Sequence, residues 1–353
     1  MSLFKTNQVK CDIGSYIHYW RGIKKSGKTT LFYDLVQEQY KDLNKGLLIA
    51  IGDEIGYQTL DGLVYTETPT WSEFVEVIDE LVDNKANNEF EIIGLDTADE
   101  LVKLAKEEVK RLHKKAKGTV AEFNACFGGY GTPRDMVVSM IDEQLARLRK
   151  GGYGIVIIGH TKIRDIKEKN GDEYQQLTSN LNADFDGIFA NKADIVMTIT
   201  VEKNINEDKH IDGTTRYMYF RSDGFVDAGG RFSEMPDKLE YGAKNYIKAF
   251  EEGVRGAIKG EVSDKEINKR KKQEVEERAE KAAEFSKASK EVDEKANEEL
   301  IEVINNAFKS CDDREKKDKY KELRKKLAPG IDRTADLVDQ PTNIVKQLVE
   351  YWN

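Results

Sequence analysis

The amino-acid sequence predicts an α/β fold, in which helices cover a mostly parallel sheet and a small helical domain follows. Three observations lead to this prediction. Between residue 12 and about residue 250, apolar runs of strand length alternate with stretches of helical periodicity. The runs 92–95 and 155–158 are apolar at every position, as strands buried on both faces must be. Residues 22–29 form a glycine-containing turn between the first predicted strand and the first predicted helix.

The individual elements follow from local composition and spacing. Residues 15–20 are rich in aromatic and β-branched side chains, which favours a strand, and residues 30–36 place apolar side chains at helical spacing. The same two criteria give the other elements. The predicted strands are 15–20, 47–51, 63–65, 90–95, 154–159, 195–201 and 215–220. The predicted helices are 28–43, 71–84, 97–116, 133–150 and 243–256.

The composition changes near residue 260. Lys, Arg, Glu and Ala dominate up to about residue 297, which predicts a solvated helix or a charged linker without the apolar heptads of a coiled coil. From residue 300 onward apolar residues return at helical spacing and predict a small domain of about three helices. The expected division is a core at 1–255, a charged helical linker at 256–297 and a helical domain at 298–353.

Residues 22–29, Gly-Ile-Lys-Lys-Ser-Gly-Lys-Thr, form a complete phosphate-binding motif of the pattern G-x-x-x-x-G-K-[ST]. The two glycines let the main chain curl so that its N–H groups point at a polyphosphate. Lys28 supplies a cation to the β- and γ-phosphates, and the Thr29 hydroxyl can bind Mg²⁺. The expected phosphate contacts are Gly22, Lys25, Ser26, Gly27, Lys28, Thr29 and Thr30.

A magnesium ion at such a loop needs a carboxylate, usually one at the end of a neighbouring buried strand. Asp96 follows the apolar run 92–95 and is the expected second metal residue beside Thr29. The alternative is that Asp96 caps the helix that follows it, and the two roles are compatible.

Hydrolysis also needs a group that orients or deprotonates water. The predicted strand 47–51 is followed by Asp53 and Glu54, and we expect Glu54 to be the base. A solvated turn carboxylate is the alternative. His160 ends the strand 154–159, where it would contact a γ-phosphate, although a lone histidine is often structural.

Two polar stretches, 117–132 and 162–187, are long enough to predict functional surface loops. They combine lysines and arginines with aromatic residues, a mixture that suits single-stranded nucleic acid. Seven more cations lie on or just after the preceding helix, namely Lys103, Lys106, Lys110, Arg111, Lys114, Lys115 and Lys117. A solvated helix face is the alternative.

Net charge and cysteine content set limits on partners and compartment. The net charge of −9 means that any attraction to DNA must come from local basic patches. The three cysteines are far apart, which predicts a reducing cytosol and no disulfide framework. We find no apolar run of membrane-spanning length and no signal-peptide pattern, so we expect a soluble cytoplasmic protein without a membrane partner.

The ordered set of motifs resembles the RecA-like core of P-loop NTPases, and most closely the phage-encoded RecA-like ATPases, often described as phage nucleotide-binding or AAA-type proteins. Some of these act in single-strand annealing or recombination. The resemblance covers residues 12 to about 240. It is carried by the loop at 22–30, Glu54 with Gly56 and Tyr57, Trp71, Asp96 with Thr97, the Phe-Gly-Gly-Tyr-Gly run at 127–131, Gly-His-Thr-Lys at 159–162, Asn-Lys-Ala-Asp-Ile at 191–195, and Arg231 near Pro236.

This resemblance implies ATP with Mg²⁺ as the bound species. It places the catalytic carboxylate at Glu54, the γ-phosphate sensor at His160 and two DNA-binding loops at 117–132 and 162–187. It also implies a homo-oligomer that hydrolyses ATP between subunits, with Lys28 in the catalytic set, and a host-cell cytoplasmic location.

An arginine acting across a subunit interface is the remaining implied group. Arg216, Arg221 and Arg231 are the candidates, since all three flank or follow the last predicted strand. The resemblance selects Arg231, but relatives often carry a lysine–arginine pair where this chain has Gly229 and Gly230 before the arginine. Ordinary surface arginines are the alternative.

Three functions fit these observations. The first is an ATPase that assembles on single-stranded DNA in phage recombination or replication. The second is a replicative helicase or a helicase loader. The third is a non-catalytic, nucleotide-gated scaffold whose C-terminal helices recruit a protein partner.

Overall fold

The computed structural model of the chain describes residues 6–168, 171–206, 210–331, 333–338, 340 and 342–352. Its core is one mixed sheet with helices on both faces, and further helices follow the core in sequence. The predicted α/β fold, with a mostly parallel sheet and C-terminal helices, is therefore confirmed.

The elements carry labels in chain order. The strands are β1 (Ile17–Gly22), β2 (Gly46–Ile51), β3 (Tyr65–Thr68), β4 (Ile92–Asp96), β5 (Gly154–Lys167), β6 (Glu173–Ser179), β7 (Ile195–Ile205), β8 (Ile211–Tyr219), β9 (Gly229–Gly230) and β10 (Lys238–Glu240). The α-helices are α1 (Lys28–Tyr40), α2 (Trp71–Asp83), α3 (Ala98–Lys117), α4 (Thr132–Lys150), α5 (Ala183–Ala190), α6 (Ala243–Ala257), α7 (Asp264–Ser310), α8 (Arg314–Leu327) and α9 (Thr342–Glu350).

The middle of the sheet is parallel. Over the described residues the strand order is β10-β8-β7-β1-β5-β4-β2-β3, with β6 beside β5 and β9 beside β7. Strands β7, β1, β5, β4, β2 and β3 run parallel, whereas β6, β8, β9 and β10 are antiparallel to their partners. Because parallel strands end at the same edge, the residues that follow β1, β2, β4 and the parallel part of β5 are brought together.

Two apolar layers bury the sheet. Helices α2, α3, α4 and α5 pack on one face, around a cluster that includes Phe74, Leu101 and Phe185. Helices α1 and α6 and the start of α7 pack on the other face, around Phe32 and Phe250. Burial on both faces explains why the central strands are apolar at every position.

Sequence signals at the helix ends match the observed boundaries. Thr70 and Glu73 form a reciprocal capping box at the start of α2, and Thr97 caps α3 by accepting a hydrogen bond from the Glu100 N–H. Helix α3 ends at Gly118, which adopts the left-handed conformation that glycine accepts at no steric cost.

The expectation of a long open loop at 162–187 is wrong. Strand β5 continues to Lys167, eight residues beyond its predicted end, and pairs with β6 in a hairpin that projects from the sheet. Helix α5 follows the hairpin. Lys169, one of the cations expected in this loop, lies outside the described residues. Both hairpin strands are mostly polar and lack a strict apolar–polar alternation, so sequence hydropathy alone favours a loop.

The charged segment expected to be a solvated helix or a linker is part of a 47-residue helix, α7, that packs on the core. Its buried Glu274 accepts hydrogen bonds from the N–H groups of Cys11 (2.7 Å) and Asp12 (2.9 Å). One turn later, Arg278 donates to the carboxylates of Asp12 (2.6 Å) and Glu91 (2.8 Å). Gly152 allows this close approach, because a Cβ there would lie only 3.0 Å from the Cβ of Ala282.

The C-terminal helices form a third apolar cluster. The end of α7 contributes Ile304, α8 contributes Tyr320, and α9 contributes Val345 and Leu348, all of them buried. Helix α7 runs without interruption across the expected boundary between residues 297 and 298. The division of the chain into domains stays a prediction. No described helix is both long enough and apolar enough to cross a lipid bilayer.

Replacing the buried carboxylate of α7 should weaken the fold. Glu274→Ala leaves the N–H groups of Cys11 and Asp12 buried without their acceptor. We expect the free energy of unfolding in urea to fall by about 2–4 kcal/mol, because each unpaired buried group costs about 1–3 kcal/mol. Glu276→Ala, an exposed neighbour on the same helix, is the matched control and should change stability by less than about 0.5 kcal/mol. Equal effects of the two substitutions would contradict a docked α7.

Candidate active site

A polar cleft of about 880 Å³ opens at the carboxyl edge of the parallel strands. Strand register explains its position: Gly22 of β1 pairs with His160 of β5, and Asp96 of β4 pairs with both Ile158 of β5 and Ala50 of β2. The phosphate motif, Glu54, Asp96 and His160 therefore line one cleft, as the sequence predicts.

The phosphate motif folds as a tight loop that leads into α1. Gly27 has a left-handed backbone (φ 97°) and precedes the first residue of the helix. Lys28 is buried, and its Nζ donates to the carbonyl oxygens of Gly22 and Ile23, both at 3.0 Å. Burial lowers the pKa of Lys28 from its ordinary value, and the nearby carboxylates of Asp96, Asp99 and Glu54 oppose that change.

The residues of the loop fit a polyphosphate. The Ser26 hydroxyl is buried and has no hydrogen-bond partner in the described part of the chain. Buried hydroxyls normally have a partner. Among the described residues, the Lys28 ammonium donates to two neutral carbonyl oxygens. Phosphate oxygens would be stronger acceptors because they are charged. Thr30, at the start of α1, is exposed in the same cleft.

Thr29 and Asp96 are in direct contact, as a shared magnesium site requires. The Thr29 hydroxyl donates to Asp96 Oδ2 at 2.7 Å, and the Asp96 side chain is almost fully buried. Burial raises the pKa of Asp96 to about 6. The alternative that Asp96 caps α3 is wrong, since the cap is the next residue, Thr97. A hydroxyl and a carboxylate are oxygen ligands of the kind that Mg²⁺ prefers.

Glu54 is held in a defined orientation by its own turn. Its Oε1 accepts hydrogen bonds from the N–H groups of Ile55 (3.2 Å) and Gly56 (2.9 Å). The neighbouring Asp53 is almost fully exposed and lies 3.9 Å from Lys103. This difference favours Glu54 over Asp53 as the group that could position water, because only Glu54 is fixed by main-chain donors.

His160 belongs to a three-residue network that sequence reasoning missed. Asp99 Oδ2 accepts from the His160 main-chain N–H (2.9 Å) and lies 3.2 Å from its ring Nδ1, while Asp99 Oδ1 accepts from Asn180 Nδ2 at 2.9 Å. Burial alone would raise the pKa of Asp99, but the hydrogen bonds from His160 and Asn180 outweigh it and lower the pKa. Asn180 follows the unpredicted hairpin, so no local pattern in the sequence identifies it.

The three candidate arginines occupy different places. Arg231 is exposed, lies 3.3 Å from Asp194 and sits at the amino end of β7, away from the cleft. Its action on a neighbouring subunit stays a prediction. Arg221 binds the carbonyl oxygens of Phe232 and Ser233. Arg216 alone reaches the phosphate loop, where its Nη1 donates to the Ser26 carbonyl at 3.2 Å.

Most residues of the expected loop 117–132 are exposed, and a few anchor it to the core. After α3 ends, the segment Phe123–Gly128 begins as a 3₁₀ turn and places Cys126 in the core, and the Phe127 N–H donates to His113 Nδ1. Residues 127–131 then have positive φ in succession. At this tip the Tyr130 side chain is fully exposed.

Several of the cations expected to attract DNA are already bound to neighbouring groups. Lys103, Lys110 and Arg111 each pair with a glutamate three residues earlier on α3. On the hairpin, Arg164 binds the carbonyl oxygens of Ser179 and Leu181, and Lys167 pairs with Glu173. Part of the basic surface predicted from composition is therefore neutralised by neighbouring acids.

The sequence matches a known protein family. A family model described as "AAA domain" matches residues 17–232, more than half of the chain. The matched segment begins at β1 and contains every residue that lines the cleft. No curated protein matches the sequence.

The buried Asp96 should make stability depend on pH. Its folded-state pKa of about 6 lies above the unfolded value of about 3.9, so the unfolded chain loses the proton first. We expect the contribution of Asp96 to the free energy of unfolding to fall by at most about 3 kcal/mol between pH 4 and pH 6. The measurement is urea unfolding in EDTA at several pH values, for wild type and Asp96→Asn. The difference between the two proteins isolates this group, and a difference independent of pH would refute the assignment.

Proposed function

The chain belongs to the AAA domain family, a family of P-loop NTPases, and on that premise we propose that it is a magnesium-dependent ATPase acting on single-stranded DNA. The contact between Thr29 and Asp96, beside Lys28 and in the same cleft as Glu54, carries the ATPase part of the proposal. We further propose, from the resemblance of its motifs, a role in phage DNA recombination or replication.

The residues of the phosphate motif and Asp96 bind the triphosphate and its metal ion in this proposal. The loop N–H groups, Lys28 and Ser26 bind the β- and γ-phosphates of ATP. Thr29 and Asp96 would hold Mg²⁺, and the ion would supply positive charge that offsets the charge of the phosphate oxygens. These groups orient the triphosphate and exclude competing contacts with bulk water.

Glu54 is the group that acts on water. Its Oε1 is occupied by the two main-chain N–H donors of its turn, so Oε2 is left to accept a proton from the attacking water. As the water attacks the γ-phosphorus, its proton moves to Glu54 Oε2 and the bond between the β,γ-bridging oxygen and that phosphorus breaks.

His160 links nucleotide state to the β5–β6 hairpin in this proposal. Its Nδ1 and main-chain N–H both contact Asp99, and Asn180, just after β6, binds the same carboxylate. A phosphate oxygen that contacts the His160 ring would therefore alter the hydrogen bonds of Asp99, and through Asp99 the position of Asn180 at the end of the hairpin. Contacts of this kind order or release segments in other nucleotide switches.

DNA binding rests on a narrower basis than composition suggests. The exposed Tyr130 ring at the glycine-rich tip supports stacking on an unpaired base, whereas paired cations on α3 offer little long-range attraction. A homo-oligomer that brings Arg231 to a neighbour's cleft, and a protein partner on the C-terminal helices, complete the proposal.

Glu54→Gln should separate binding from hydrolysis. The amide keeps the hydrogen bonds of the turn but cannot accept the proton from water. We expect ATP affinity to be retained and the turnover rate to fall about 100- to 10,000-fold. Lys28→Ala is the binding-deficient reference. The assay is phosphate release, with nucleotide affinity measured separately. Wild-type protein that binds ATP tightly without turnover, with or without DNA, would instead support the scaffold function.

Tyr130→Ala should weaken binding to single-stranded DNA by roughly 5- to 100-fold, the range for loss of one stacking ring. Tyr130→Phe keeps the ring and should bind as the wild type does. The measurement is fluorescence anisotropy with a labelled oligonucleotide over a salt series, in parallel with ATPase rate. Equal affinity of the alanine and phenylalanine variants would exclude stacking at this residue. ATP-driven unwinding of duplex DNA would favour the helicase alternative.

A further inference from the structure

A stacked pair of side chains, Arg216 and Tyr241, lies against the phosphate loop. The Arg216 guanidinium sits 3.9 Å from the centre of the Tyr241 ring. Arg216 donates to the Ser26 carbonyl at 3.2 Å, and the Tyr241 hydroxyl donates to the Gly27 carbonyl at 2.8 Å. A Cβ on Gly27 would lie only 2.5 Å from Arg216 and 2.7 Å from Tyr241. Glycine at this position is therefore needed for the pair to reach the loop as well as for its left-handed backbone.

Strand order places this pair on the opposite side of the loop from the hydrolytic residues. Asp96 is the last residue of β4 and Glu54 follows β2, and both strands lie on one side of β1. Arg216 belongs to β8 and Tyr241 follows β10, on the other side of β1. If the γ-phosphate of a bound triphosphate faces Glu54, its nucleoside end lies on the other side of the loop, toward β7 and β8.

A second cleft, of about 380 Å³, begins next to the pair. It lies between α1 and the amino end of α6, and its walls include Asp34, Glu38 and Asn245. Asp34 follows Thr30 by one helical turn, roughly 6 Å along α1, so it lies on the same face of the helix as Thr30.

Two carboxylates line this cleft, and one of them is available to bind a ligand. Glu38 is paired with Lys41 and lies 3.7 Å from Lys244. Asp34 makes no hydrogen bond or ion pair with any described residue. Burial and the Glu38 carboxylate raise the pKa of Asp34, and the Arg216 guanidinium opposes that rise.

We propose that Arg216, Tyr241 and Asp34 form the nucleoside subsite of the ATPase. The outer face of the Arg216 guanidinium stacks on the base, the Tyr241 ring supports the guanidinium from behind, and the Asp34 carboxylate accepts a hydrogen bond from an exocyclic amino group. Planar guanidinium groups stack on aromatic rings in this way. The site therefore prefers bases that carry an amino group, such as adenine, over uracil. The inference rests on the proposed function, because it requires that the loop bind a triphosphate.

In a simpler alternative, Arg216 stabilises the loop through the Ser26 carbonyl and does not contact the base. A ligand that has phosphates but no nucleoside distinguishes loop stabilisation from base stacking. Inorganic tripolyphosphate uses the loop but has no base. If Arg216 stacks on the base, Arg216→Ala should weaken ATP binding about tenfold and leave tripolyphosphate binding unchanged. Arg216→Lys keeps the cation but not the planar face, so it should behave like the alanine variant.

The experiment measures the affinity of the full-length protein for ATP, UTP and tripolyphosphate by calorimetry with Mg²⁺ present. Arg221→Ala is the matched control, since Arg221 also binds main-chain carbonyl oxygens but lies away from the loop. Asp34→Ala should reduce the preference for ATP over UTP without changing tripolyphosphate affinity. Equal losses of ATP and tripolyphosphate binding in Arg216→Ala would show a bracing role and overturn the subsite.

Two further outcomes distinguish this inference from the proposed function. Wild-type protein that binds tripolyphosphate as tightly as ATP has a working loop without a nucleoside subsite, so only the inference fails. Wild-type protein that binds neither ligand lacks the triphosphate site, and the proposed function then fails first.

Discussion

Parallel pairing in register is the constraint on which the rest of the structure depends. Gly22, His160 and Asp96 are far apart in sequence, yet the pairing of β1 with β5 and of β5 with β4 brings them to one edge of the sheet. A shift of a strand by one residue would turn its side chains to the opposite face. The apolar layers on both faces oppose such a shift, so core packing fixes the geometry of the polar cleft.

Charged groups inside the molecule are stable because each has specific polar partners. Arg21, in the strand that leads into the phosphate loop, is buried and binds both the carboxylate (2.9 Å) and the carbonyl oxygen of Asp227. Thr178 of β6 and Thr198 of β7 bind the same residue, Asp227. Removing one partner of such a group costs far more than an exposed ion pair contributes. The strand before the phosphate loop, the hairpin and β7 are therefore linked through Asp227 and its buried partner Arg21.

Local patterns predicted most of the fold and part of the site. The phosphate motif and the apolar central strands are continuous in sequence, so their spacing alone located Lys28, Thr29 and Asp96. Asp99 and Asn180 could not be found in this way, because their role arises only when α3 and the hairpin meet at His160. The packing of α7 on the core could not be predicted either. Glu274 and Arg278 resemble solvent-exposed charges in the sequence, because their partners Asp12 and Glu91 are distant along the chain. The pairing of cations on α3 depends on rotamers that composition does not specify.

The length of α7 has a mechanical consequence. From Glu274 to its end at Ser310 the helix extends for roughly 50 Å, at about 1.5 Å per residue. Farther along, the Ser286 hydroxyl donates to the Asp83 carbonyl at 2.9 Å, and Lys115 of α3 pairs with Glu350 of α9, so the helix and the terminal bundle are tied to the core at several points. The helix is therefore a strut that holds the terminal bundle at a set distance from the segment before β1.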